Sequence, residues 1–131
     1  MQIKEIIAIS GVPGLHRLNK TRPNGMVATE LQSGKSRFYS VRKHQFTPLE
    51  SVAIYTEDDA VELKDLFQRM KEKAGELPFP DSGAGTSEWF SYFEQILPEY
   101  DKDRVKVSDV KKVVKWFNIL EQNEMLEEEE E

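Results

Sequence analysis

Thr47-Pro-Leu-Glu-Ser-Val-Ala-Ile-Tyr-Thr-Glu-Asp-Asp59 is the stretch in which the chain changes its hydrophobic period, and its reading decides the fold. Pro48 has no N–H for a ladder but suits the first position of a helix, so Thr47 to Glu50 reads as a single turn placed before a strand, Ser51 to Tyr55. From Thr56 the pattern becomes helical. Thr56-Glu-Asp-Asp59 offers capping oxygens and negative charge at a helix start, and Leu63, Leu66, Phe67 and Met70 recur at helical spacing, predicting a helix over Val61 to Lys73.

Upstream of that switch the chain reads as short strands broken by turn residues. Gly14 to Asn19, Met26 to Leu31 and Arg37 to Val41 are the strands, with Pro23-Asn24-Gly25 and Ser33-Gly34 as tight turns. Ser10-Gly11-Val12-Pro13-Gly14 reads as a strand lead-in that needs unusual backbone angles. Met1 to Ile9 fits either a helical turn or a strand, and the spacing of Ile3, Ile6 and Ile7 favours a short helix or turn feeding the sheet. Four or five short strands within about 50 residues predict a small, strongly curved sheet or barrel, since a flat sheet of that size buries too little apolar area.

Downstream, Glu76-Leu-Pro-Phe-Pro-Asp-Ser-Gly-Ala-Gly85 carries two prolines and two glycines and reads as a linker. Trp89, Phe90, Phe93, Ile96 and Leu97 then form one helical stripe, with Thr86 or Ser87 as its cap and Pro98 at its exit. Val110, Val113, Val114, Phe117 and Leu120 form another, capped by Ser108. The expected class is therefore α+β: a β module with its helix over 1–75, a linker over 76–85, a helical pair over 86–122 and a disordered acidic tail over 123–131.

Composition narrows the function by exclusion. The chain has 131 residues, 32% of them charged, a net charge of −6 and no apolar run approaching a membrane span. The N-terminus lacks the apolar core and cleavage site of a secretory signal, so cytoplasm is the expected location and no membrane partner is expected. With no cysteine and only His16 and His44, thiol chemistry is absent and little remains for a metal cage; both histidines read as surface residues. Asp101-Lys-Asp103 opens like a calcium loop but holds Val105, Lys106 and Lys112 where that loop needs an oxygen ligand, glycine and glutamate. Ser82-Gly-Ala-Gly-Thr86 lacks the spacing of a phosphate-binding loop. These readings predict a protein that is not an enzyme, with no catalytic residue, no cofactor and no metal.

Charge supplies the one positive signal. Before Leu49 there are eight basic residues against two acidic, a net of +6, and from Leu49 onward ten against 22, a net of −12. The basic segment contains Arg17, Lys20, Arg22, Lys35, Arg37, Arg42, Lys43 and His44, with Phe38 and Tyr39 among them. Strand alternation puts Lys35, Arg37 and Tyr39 on one face and sends Phe38 to the core. Arg17, Lys20, Lys35, Arg37, Tyr39, Arg42 and Lys43 are accordingly the candidate contacts to single-stranded RNA or another polyanion. A protein partner is the rival reading, because a pI of about 5.1 lacks the basic balance of most nucleic-acid domains. Glu127 to Glu131 would compete with a polyanion for the basic surface.

Ile7-Ala-Ile-Ser-Gly-Val-Pro-Gly-Leu15, Pro48-Leu-Glu-Ser-Val-Ala-Ile-Tyr-Thr56, Val61-Glu-Leu-Lys-Asp-Leu-Phe67 and Val105 to Asn118 together resemble a family of small uncharacterised proteins from Bacteroidetes-type bacteria. The resemblance spans nearly the whole chain. It implies an N-terminal β-rich module and a C-terminal helical one, and it carries over no activity and no binding residue.

Overall fold

The computed structural model describes residues 5–81 and 83–123. Met1 to Lys4, at the start of the ambiguous segment, and all of the expected acidic tail beyond Asn123 lie outside them. The chain divides into two units, Met1–Val52 with Ile119–Glu131, and Ala53–Asn118.

The first unit is built on a five-stranded antiparallel sheet in the order β4-β3-β2-β1-β5. Its strands are β1 (Ile6–Ile9), β2 (His16–Arg22), β3 (Gly25–Glu30), β4 (Ser36–Ser40) and β5 (Phe46–Pro48), followed by a single 3-10 turn at Leu49–Ser51. Ile6–Ile9 is therefore a strand and not the helical turn its isoleucine spacing favours. Ile6, Ile7 and Ile9 are all buried, so a strand covered on both faces shows none of the alternation that would mark it.

β4 and β5 are the two edges of this sheet, yet only residues 41–45 join them. Five strands laid flat would separate those edges by roughly 19 Å. The connection turns back on itself, with the His44 N–H donating to the Ser40 carbonyl at 3.1 Å. Gln45 and Ser10 then exchange two bonds, Ser10 N–H to the Gln45 carbonyl at 2.9 Å and Gln45 N–H to Ser10 Oγ at 2.7 Å. So short a link requires strong curvature. No ladder connects β4 to β5, so the curved sheet stays open and the barrel alternative is set aside. Gly14 at φ +83° and Gly34 at φ +72° supply the left-handed backbone expected at the lead-in and at the β3–β4 turn.

The second unit opens with β6 (Ala53–Tyr55) and β7 (Ala60–Glu62), which pair with each other as a separate two-stranded sheet. The Ser51 to Tyr55 strand therefore does not extend the first sheet. Thr56 to Asp59, expected to cap a helix, instead closes this hairpin: the Thr56 N–H donates to the Asp59 carbonyl at 2.9 Å, and the Asp59 N–H donates to Thr56 Oγ1 at 3.0 Å. Among the described residues the α-helices are α1 (Leu63–Lys73), α2 (Thr86–Ile96) and α3 (Val107–Gln122). Ser108 lies inside α3, and Asp109 Oδ2 accepts the Lys106 N–H at 3.0 Å in its place.

The sequence reading kept the first helix with the sheet and set its boundary at 76–85, whereas the units divide between Val52 and Ala53. Helix α1 packs on β7 and α2. Phe67 of α1 meets Phe117 of α3 at 6.1 Å between ring centres. Phe79, within the Pro/Gly segment, lies 5.5 Å from Tyr92 and 5.6 Å from Phe117. Two cations of α1 also cap the exposed carbonyls at the end of α2: Lys73 Nζ donates to the Gln95 carbonyl at 2.7 Å, and Arg69 donates to the Ile96 carbonyl at 3.4 Å and to Glu99 at 2.8 Å.

Candidate functional site

Register decides which side chains of the basic segment share a face. Ile7, Ile9 and Ala28 form a buried cluster, with Leu18, Met26, Tyr39 and Phe46 packed against it. Met26 stands opposite Tyr39, and Ala28 opposite Arg37. Tyr39 and Arg37 therefore point to the concave inner face, which leaves Phe38, opposite Val27, on the convex outer face at 48% exposure. The expected orientation of β4 is reversed. Phe38 packs over Gly25, where an added Cβ would fall 2.6 Å from its ring, so the outer face holds a partly exposed aromatic over a residue without a side chain.

β2 carries an irregularity between Leu18 and Lys20, where Leu18 pairs with Ala28 but Lys20 with Val27. Strict alternation from Leu18 would have turned Lys20 and Arg22 inward. The extra residue, Asn19, resets the parity. Arg17, Lys20 and Arg22 consequently all lie on the outer face, opposite Thr29, Val27 and Gly25. Thr29 and Ser36 hydroxyls sit 2.6 Å apart on that face, and the Asn19 amide donates to Thr29 Oγ1. Within β2, β3 and β4 the single carboxylate is Glu30, opposite the inward-facing His16. The outer face is thus cationic, polar and aromatic, with no acid among its strand residues.

The inner face holds a second group. His16 is completely buried, contrary to its expected surface position, because it stands opposite Ile7. Its Nε2 lies 3.2 Å from the Tyr39 hydroxyl, while Nδ1 has no partner among the described residues. Burial lowers its pKa, and the nearby Glu30 carboxylate works against that shift. His44 is half-buried; its ring meets Tyr39 edge-on at 5.6 Å, and its Nδ1 lies 2.8 Å from the Ser10 carbonyl. Beside this group a cavity of about 300 Å³ is lined by Val12, Pro13, Glu30, Ser33, Lys35, Arg37 and Tyr39.

The seven candidate contacts therefore fall in three places. Arg17 and Lys20 are on the outer face, Lys35, Arg37 and Tyr39 line the inner cavity, and Arg42 and Lys43 sit in the turn after β4. Phe38 is not among the contacts expected from the sequence, and Arg22 belongs to the expected basic segment but not to its expected contacts. No local signal marks Phe38, because the turn at Pro23-Asn24 sets the pairing of β3 with β2 but not which face is the core.

Comparison with known proteins adds lineage. Residues 52–120, more than half of the chain, match the family model described as Domain of unknown function (DUF6852). The chain belongs to that family. In this DUF6852 member, residues 3–49 also match Domain of unknown function (DUF5606), so the two family matches meet close to the division between the structural units. The chain is similar to a solution NMR structure of a protein from Bacteroides vulgatus at 29% identity and a TM-score of 0.76, over 96% of this chain and 90% of that one. No curated protein gives a match. Among the described residues of this DUF6852 chain, no helix is long and apolar enough to cross a membrane.

Proposed function

We propose that the N-terminal unit is a non-catalytic binding module that holds single-stranded nucleic acid, RNA foremost, on the outer face of β2, β3 and β4. The observation that carries this reading is the shift at Asn19, which brings Arg17, Lys20 and Arg22 onto the face that displays Phe38. Along β2, Arg17 and Arg22 are about 17 Å apart, a span over which successive backbone phosphates of an extended strand meet successive cations. Phe38 offers a stacking surface, which contributes roughly 1–3 kcal/mol per base. Arg42 and Lys43, next in sequence after β4, extend the cationic area, whereas Tyr39 takes no part.

Titrating labelled single-stranded RNA, single-stranded DNA and heparin against wild-type protein and Phe38→Ala tests this reading. Stacking predicts that F38A weakens both nucleic acids and leaves heparin, which has no bases, unchanged. Equal loss for all three would make Phe38 a structural residue. Failure of all three to bind at low salt would move the reading to a protein partner.

A further inference from the structure

The inner cavity is a separate place with its own chemistry. Lys35 and Arg37 line its mouth, and neither has an ion-pair partner among the described residues. Glu30 lines the same cavity from β3, also without an ion pair, and its Oε2 lies on the Gly14 side, 3.6 Å from where a Cβ at Gly14 would stand. Val12 and Pro13 give the cavity an apolar wall. Two unpaired cations around one opening attract an anion, yet a carboxylate in the same cavity disfavours a bare one. The arrangement fits a ligand that brings an anionic group to Lys35 and Arg37 and hydroxyl donors to Glu30.

The geometry points to a binding site for a small phosphate ester bearing free hydroxyls, of sugar-phosphate or mononucleotide size, in the cavity between Glu30, Lys35, Arg37 and Tyr39. Its volume of about 300 Å³ is at the small end of ligand pockets, which suits a molecule of that size. The guanidinium of Arg37 and the ammonium of Lys35 take the phosphate, a charge-assisted contact that Arg makes in a two-pronged way. The Glu30 carboxylate accepts from the hydroxyls. Tyr39, hydrogen-bonded to the buried His16, is fixed as the floor. Gly14 leaves open the space beside Glu30 that any side chain there would fill.

The test is a titration of isotope-labelled full-length protein with inorganic phosphate, ribose 5-phosphate, AMP and adenosine, followed by NMR at the amides of Gly14, Ser33, Lys35 and Arg37. Ribose 5-phosphate and AMP are expected to shift these amides and to bind more tightly than phosphate or adenosine. Their relative strength distinguishes a sugar phosphate from a nucleotide as the source. Arg37→Ala is expected to weaken both esters about tenfold. Glu30→Ala should narrow the gap between ribose 5-phosphate and phosphate, by removing the hydroxyl acceptor and the repulsion together. The triple variant Arg17→Ala/Lys20→Ala/Arg22→Ala should leave ester binding intact, which separates this site from the outer face. Phosphate binding as tightly as its esters, an absence of shifts at these amides, or insensitivity to R37A in a folded variant overturns the proposal.

Discussion

The Tyr39 hydroxyl lies 3.2 Å from Nε2 of His16, and this bond ties β4 to β2 across the inner face of the sheet. It fixes the orientation of β4. With Tyr39 inward, Phe38 must face outward beside Lys20 and Arg22, and the neighbouring aromatics of one strand acquire opposite tasks.

Tyr39→Phe keeps the ring but removes the one hydrogen bond that the buried imidazole makes among the described residues. Destabilisation of about 1–3 kcal/mol is expected, read as a lower urea midpoint with an unchanged slope. RNA affinity of the folded variant should stay at the wild-type level. A Y39F protein of native stability would show that the contact contributes nothing to the fold.

His16 also predicts a pH dependence. Burial lowers its native pKa, so in the unfolded chain, where it titrates near 6.5, the imidazole takes up its proton at higher pH than in the folded one. The stability that depends on neutral His16 is complete above that value. It is lost as pH falls from there toward the lowered native pKa. Urea midpoints measured between pH 8 and 5 (about 1.5 units either side of the ordinary value) should be level at the upper end and fall at the lower. Replacement by Gln should flatten the window.

A Cβ at the buried Gly25 would run into the Tyr39 carbonyl oxygen and fall 2.6 Å from the Phe38 ring, so Gly25→Ala would force both the β4 backbone and the ring away from their seats. A loss of about 1–3 kcal/mol is expected from the overpacking. Because the same ring is the stacking surface, G25A should also weaken RNA binding at temperatures where the protein remains folded. Native affinity in a destabilised G25A would separate the ring's packing from its proposed contact.

In the second unit, Arg69 and Glu99 form an ion pair between side chains 42% and 45% exposed. Its hydrogen bond from Arg69 holds the Glu99 carboxyl below the usual range, but exposure keeps the contribution of the pair below about 1 kcal/mol. Phe117, completely buried between Phe67 and Phe79, should cost about 3–5 kcal/mol on truncation to Ala. Thermal denaturation of R69A and F117A should rank them in that order.

The α+β class, the short strands and the helical stripes were legible because turn residues and periodicity are local properties. Ile6–Ile9 was not, since a strand buried on both faces presents an apolar run that a helix can equally claim. The inner and outer faces were misread for a related reason. Alternation tells which residues differ in face, not which of the two faces is the core, and here the core side is chosen by pairing with Met26 and Ala28. The shift at Asn19 leaves no mark in composition, so the gathering of Arg17, Lys20 and Arg22 could be found only from register. The period switch near Thr56 lies close to where the units divide, and the packing of the first helix on β7 and α2 is not legible because helical spacing does not say what a stripe packs against.

The central claim is that three cations of β2 act together on one face, and the salt dependence of RNA binding tests it most directly. Affinity for single-stranded RNA should be measured from low to moderate salt for wild-type protein and for Arg17→Ala/Lys20→Ala/Arg22→Ala, with circular dichroism confirming that the variant is folded. Each phosphate contact to a single strand adds about 0.7 to the slope of log affinity against log salt. The account predicts that the variant binds more weakly and loses a slope of about 2, the sum for three contacts. A folded variant with the wild-type slope and affinity would contradict it.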